Sequence, residues 1–119
     1  MSAPVDILVE GTRAVSILAF LGYGLSCLFF DHMAGEFERF GLARMRRLVG
    51  ALEVLGGLGL AAGIVLPALG VASAAGLALL MLLGVGTRLK VRDSLTQTLP
   101  ALVLLLMNGM LAWDGWLRL

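Results

Sequence analysis

Apolar residues run through this chain in blocks. Residues 14–30, 68–86 and 95–113 contain no charged side chain, and residues 48–66 contain one, Glu53. A helix rises 1.5 Å per residue, so about 20 apolar residues cross the roughly 30 Å hydrocarbon layer of a bilayer. Spans are therefore expected at 14–30, 48–66, 68–86 and 95–113, with the polar stretch 96–98 at the membrane surface. Residues 48–86 form one nearly unbroken apolar run. As a single helix it would reach about 58 Å, roughly twice the bilayer, so it must fold back. Pro67 is the expected turn, because it lacks an amide hydrogen and clashes with a preceding helical turn. Gly63 and Gly70 flank it. The pattern predicts an all-α fold: an integral membrane antiparallel four-helix bundle, with residues 1–119 as one domain.

The segment between the first two runs alternates differently. In 31–47, Phe37, Phe40 and Met45 fall on one side of a broken helix together with Leu48. Glu36, Glu38, Arg39 and Arg46 fall on the other, and Gly41 interrupts the pattern. Such a segment suits the headgroup layer.

Composition agrees with a lipid environment. The chain is 60% hydrophobic and 14% charged, with a mean hydropathy of +0.99, whereas soluble domains carry about 25% charged residues. The net charge of +1 gives no reason to expect a nucleic-acid partner. Cys27 is the one cysteine, so no disulfide closes within a chain, and His32 is the one histidine. Asp31, His32 and Glu36 stand close enough in sequence to be weighed as metal ligands, but such a trio at a membrane surface is commonplace, and no metal site is expected. Residues 1–11 carry Asp6 and Glu10 where a cleaved leader would be basic. The first apolar run is expected to remain in the mature protein.

Charge also orients the spans. Arg39, Arg44, Arg46, Arg47, Arg88, Lys90 and Arg92 lie in the 31–47 and 87–97 loops, against Arg13 and Arg118 at the other side. Cytoplasmic loops collect Lys and Arg. Both loops are expected in the cytoplasm and both termini outside it, with Trp113 and Trp116 anchoring at the outer interface.

Lipid gives helices no hydrophobic reason to associate, so small residues that allow close backbone approach mark contact faces. The second run holds Gly50, Gly56, Gly57, Gly59 and Gly63, the third Gly70, Ala74 and Ala78, and the first Gly22 and Gly24. Glu53 shares the face of Gly50, Gly56 and Gly57. A carboxylate among lipid tails is costly, so Glu53 is expected to point into the bundle. There it is either a hydrogen-bonded latch or a proton-accepting or ligand-binding group. Tyr23 lies at similar depth, Arg88 is expected to reach toward it, and Asn108 is expected to bond between helices or line a pocket.

The stretch 37–113 resembles the DoxX-like family of small membrane proteins. The likeness rests on FGL at 40–42, LVGALEVLGGLGLAAGIVLP at 48–67, GLALLMLLGVGTRLK at 76–90 and LPALVLLL at 99–106. Glu53 falls where members carry an acid, and Arg88 stands where members often show a histidine. The resemblance implies a multi-pass protein of the bacterial inner membrane. Relatives include a subunit associated with thiosulfate:quinone oxidoreductase, and others are linked to membrane redox complexes or protein maturation. The leading expectation is an accessory subunit of a quinone-linked or other membrane complex, with no catalysis of its own. A quinone would then sit between helices near Glu53, Tyr23 and Arg88. Two rivals are a small proton-coupled transporter working as a dimer and a structural assembly factor. All three need the lipid bilayer, and either a second copy or a membrane-protein partner.

Overall fold

The structure is a computed structural model. It describes the backbone from residue 3 to residue 119 and the side chains from residue 4 onward, except those of Asp31 and His32. The helices are α1 (Ala3–Phe29), α2 (Asp31–Arg39), α3 (Arg46–Ala62), α4 (Pro67–Lys90) and α5 (Leu95–Arg118), with a 3-10 turn at Ala43–Met45 ahead of α3. No strand occurs among the described residues. The molecule measures 44 × 26 × 18 Å, its long axis close to the roughly 40–45 Å of a bilayer with its headgroups.

Three helices are long and apolar enough to cross a membrane: α1, α4 and α5. The fourth long helix, α3, has 17 residues and spans about 25 Å. It ends four residues before its apolar run does, because 63–66 form successive tight turns: Ile64 N–H donates to the Ala61 carbonyl and Val65 N–H to that of Ala62. Pro67 is not the apex of this turn. It opens α4, where its missing amide costs nothing and its fixed φ suits the first helical position. The helix α1 starts well before the apolar run at 14, because Asp6, Glu10 and Arg13 lie on its first turns and find partners there. Arg13 bonds Glu10 at 2.9 Å, and Asp6 accepts from Arg118 of α5 at 2.8 Å.

Contacts arrange the four long helices as a closed antiparallel ring: α1 against α3, α3 against α4, α4 against α5, and α5 back to α1. Glycine sets the first two seams. A Cβ on Gly24 would meet the Gly50 carbonyl at 2.8 Å and the Val54 amide at 2.9 Å, and one on Gly70 would meet the Gly63 Cα at 2.9 Å. Gly59 faces Ser73 across the same α3–α4 seam, and Gly56 faces Leu77. Gly22 takes no part, since an added Cβ there meets nothing within 4 Å. The interior is filled by Phe20, Leu60, Leu77 and Leu104, while Leu18, Leu55, Leu79 and Leu106 point outward. An exterior of large aliphatic side chains suits lipid and not water.

Helix ends follow local chemistry. The first loop does hold a broken helix, and Gly41, at φ 74°, closes α2 in the left-handed conformation that glycine adopts at least cost. Gly41 N–H then bonds the Glu38 carbonyl and Leu42 N–H that of Phe37. Arg92 repeats this device after α4 with φ 61°, despite its Cβ. Ser94 caps α5 by accepting from Gln97 N–H at 3.2 Å, while the Gln97 side chain accepts from Ser94 N–H at 3.0 Å. This reciprocal box follows from the spacing Ser-x-x-Gln.

Candidate functional site

Glu53 sits where α3 is drawn tightly onto α1. Gly50, one turn before it, packs on Cys27 and Leu28, and Gly57, one turn after it, packs on Leu21 and the Ile17 carbonyl. With both glycines in the seam, Glu53 turns inward and is 6% exposed. Its Oε2 is buried and has no hydrogen-bond partner among the described residues. The latch anticipated for this acid is therefore not formed. Arg46, seven residues earlier on the same face, is committed elsewhere: it donates to the Cys27 carbonyl at 2.6 Å. That carbonyl belongs to the last turn of α1, which lacks intrahelical donors, and a cation there also complements the helix dipole.

Asn108 is fully buried and does bond between helices. Its Nδ2 donates to Ser16 Oγ on α1 at 3.4 Å and to the Leu104 carbonyl at 2.9 Å, while its Oδ1 has no partner among the described residues. Gly57 touches Ile17, the neighbour of Ser16. The Ser16–Asn108 pair thus lies about one helical turn, roughly 6 Å, from Glu53 along the bundle axis. The bundle core holds two separate buried acceptors, each short of a donor.

Tyr23 and Arg88 are not brought to Glu53. Tyr23 is 45% exposed and lines a mostly apolar groove of about 320 Å³ between α1 and α5, with Val15 and Ala19 on its own helix and Thr96, Leu99, Val103 and Met107 opposite. Arg88 turns to the loop side. It bonds Asp93 at 2.9 Å, lies 3.8 Å from Glu36, and places its guanidinium 5.1 Å from the Phe40 ring centroid. Arg39 holds the same three groups, with its guanidinium 4.9 Å from the Phe40 centroid and ion pairs to Asp93 and Glu36. Arg88 is thus a structural clamp between α2 and the α4–α5 turn.

The side chain of Asp93 is only 4% exposed. The hydrogen bond from Arg39, helped by that from Arg88, holds its carboxyl below the usual carboxylate range. A group whose folded pKa is depressed stabilises the fold above its unfolded value, near 4, and loses that contribution as pH falls through the folded value. The thermal midpoint is expected to be flat above pH 5 and to drop below pH 4. Asp93→Asn is expected to lower the neutral-pH midpoint and remove much of that acid slope, as a melt series in detergent from pH 3 to pH 7 will read.

A second hollow was not foreseen from the sequence. At the end holding both termini, a recess of about 270 Å³ is lined by Asp6, Glu10, Arg13, Asp114 and Arg118, with Val9, Leu60 and Leu111 among its apolar residues. Two local pairs mark that end in the sequence: Asp114–Arg118 at i,i+4 and Glu10–Arg13 at i,i+3, each bonded at 2.9 Å. Of the weighed metal trio, Asp31 and His32 have side chains outside the described residues, and Glu36 is paired with Arg39 at 2.7 Å.

An apolar-surfaced helical ring with an acid in its core defines a membrane protein, with three helices apolar enough to cross a bilayer and the shorter α3 drawn onto two of them through glycine contacts. The chain belongs to the DoxX-like family, whose family model matches residues 12–110. That match reaches back through most of α1, beyond the stretch from 37 onward that carried the sequence resemblance. No curated protein and no solved structure matches the chain.

Proposed function

We propose that this protein is a four-span accessory subunit of the bacterial inner membrane. It docks through the outward face of α4 onto a quinone-linked redox complex or another membrane complex. The observation that carries this reading is the character of that face. Ala72, Ala75, Gly76 and Gly86 are all exposed on it, and a Cβ at Gly76, Gly84 or Gly86 would meet nothing within 4 Å. Small residues packed inside the ring are explained by the ring itself. Small residues facing outward on either side of the exposed Leu79 and Leu83 leave hollows into which the side chains of a second transmembrane helix fit. Family membership supports the membrane role, and the loop arginines support both termini lying outside the cytoplasm.

In this reading Glu53 serves the complex as a buried proton acceptor, which its unpartnered oxygen supports over a latch. The proton-coupled transporter is the weaker alternative, because neither the groove nor the recess includes Glu53. The assembly-factor alternative needs Glu53 only as a structural group.

The test is purification in mild detergent at native expression level, with mass spectrometry of what copurifies. A stoichiometric membrane partner is expected. The double variant Gly76→Leu/Gly86→Leu is expected to lower partner recovery at least tenfold while its own stability does not fall, the gain in helix propensity being at most about 1–2 kcal/mol. Unchanged recovery in that variant, or a chain that purifies alone, would refute the docking face.

A further inference from the structure

We infer that the groove between α1 and α5 binds one anionic glycerophospholipid with a hydroxyl-bearing headgroup, taken from the leaflet on the loop side. The inference is independent of the accessory-subunit reading.

The groove is graded along its length. Its loop-side end carries two hydroxyls, Tyr23 on α1 and Thr96 on α5, and beyond them both walls are aliphatic. From Thr96 to Met107 the lining of α5 covers eleven helical steps, about 16 Å of helix. That is close to half the roughly 30 Å hydrocarbon thickness, the depth of one leaflet. A polar end at the interface and an apolar channel ending near the midplane match one acyl chain below its ester linkage. Tyr23 and Thr96 are placed to donate to the ester oxygens.

Pro100 sharpens the polar end. It lies inside α5 and lines the groove. Having no amide hydrogen, it leaves the Thr96 carbonyl without its i+4 helical donor. At the headgroup layer that open acceptor is free to take a donor from outside the helix, and a headgroup hydroxyl supplies one.

Charge selects the sign of the lipid. Arg39 and Arg88 are occupied by Asp93 and Glu36. Lys90 and Arg92, on the turn that leads into Thr96, make no ion pair among the described residues. Arg92 stands four residues before Thr96, and its left-handed backbone holds the turn that begins α5. Two cations on the stretch that precedes Thr96 in the chain, without an acidic partner among the described residues, favour a phosphate without a compensating ammonium.

Purified full-length protein is titrated with phosphatidylglycerol or phosphatidylcholine in detergent, reading native mass spectra and thermal midpoint. One phosphatidylglycerol per chain is expected to survive delipidation and raise the midpoint, with phosphatidylcholine at least tenfold weaker. Ala19→Trp fills the groove and is expected to abolish the retained lipid; Val103→Trp does the same from the opposite wall if the first variant folds poorly. Arg92→Asn removes a charge at a position whose left-handed backbone asparagine tolerates. It is expected to weaken phosphatidylglycerol about fivefold and leave phosphatidylcholine unchanged, about 1 kcal/mol being the worth of one cation near an anionic surface. Equal binding of the two lipids, lipid retained by both tryptophan variants, or a quinone displacing phosphatidylglycerol at one per chain would each overturn the assignment.

Discussion

Gly63→Ala is expected to destabilise the bundle by about 3 kcal/mol, the upper end of what overpacking usually costs. The added methyl would land on the Gly70 backbone, meeting its amide nitrogen at 3.0 Å and the Leu60 carbonyl at 3.1 Å. Where a new methyl meets a flexible side chain, that chain swings away. Here it meets main chain on both sides, so α3 and α4 must part at the hairpin, and the contacts of Gly59 with Ser73 and Gly56 with Leu77 loosen with them. Gly76→Ala is the matched control on the same hairpin. Its methyl meets nothing within 4 Å, so it is expected to be neutral or to gain about 1 kcal/mol from alanine's better helix propensity. Equilibrium unfolding in mixed micelles separates the two. A Gly63→Ala midpoint equal to that of the parent would mean the hairpin does not depend on this backbone contact.

Glu53→Met is expected to stabilise the fold by about 1–3 kcal/mol while the function of the complex is lost. The carboxylate is 6% exposed with Oε2 unpartnered, and an unmet buried polar group costs about that much. Methionine is similar in length and flexible enough to fill the space without one. Glu53→Gln keeps the shape and removes the titratable proton; partner turnover is expected to fall at least tenfold with the subunit still bound. A structural latch makes the opposite prediction for stability, since breaking it would lower the midpoint in both variants. Unchanged turnover in Glu53→Gln, with the complex intact, would remove the acid from any proton-handling role.

The inward turn of Glu53 was legible because one residue in an apolar block that also carries glycines at i−3 and i+4 has few places to go. Its lack of a partner was not legible. Whether Ser16, Asn108 or Arg46 reaches it depends on the axial offset between helices, which a single helix's periodicity does not contain. Asn108 met Ser16 one turn away, and Arg46 met the open carbonyl of Cys27. Arg88 was expected in the 87–97 loop, but α4 runs on to Lys90 and holds Arg88 in its last turn; its preference for Asp93 and the Phe40 ring follows from how the Arg92 turn folds back. Gly22 and Gly24 are two residues apart and look alike in sequence, yet only Gly24 lies in a seam.

Residue order alone settled the solvent, the helical class and the need for the 48–86 run to fold back. Each of these follows from local rules, above all how much apolar length is needed to cross lipid. Pairing of faces emerged only when the helices were set side by side. Contact between two rods depends on their relative rotation and slide, and those are fixed by all the seams closing at once. That joint closure separated Tyr23 from Glu53, opened the groove beside α5, and left the acid's oxygen without a donor.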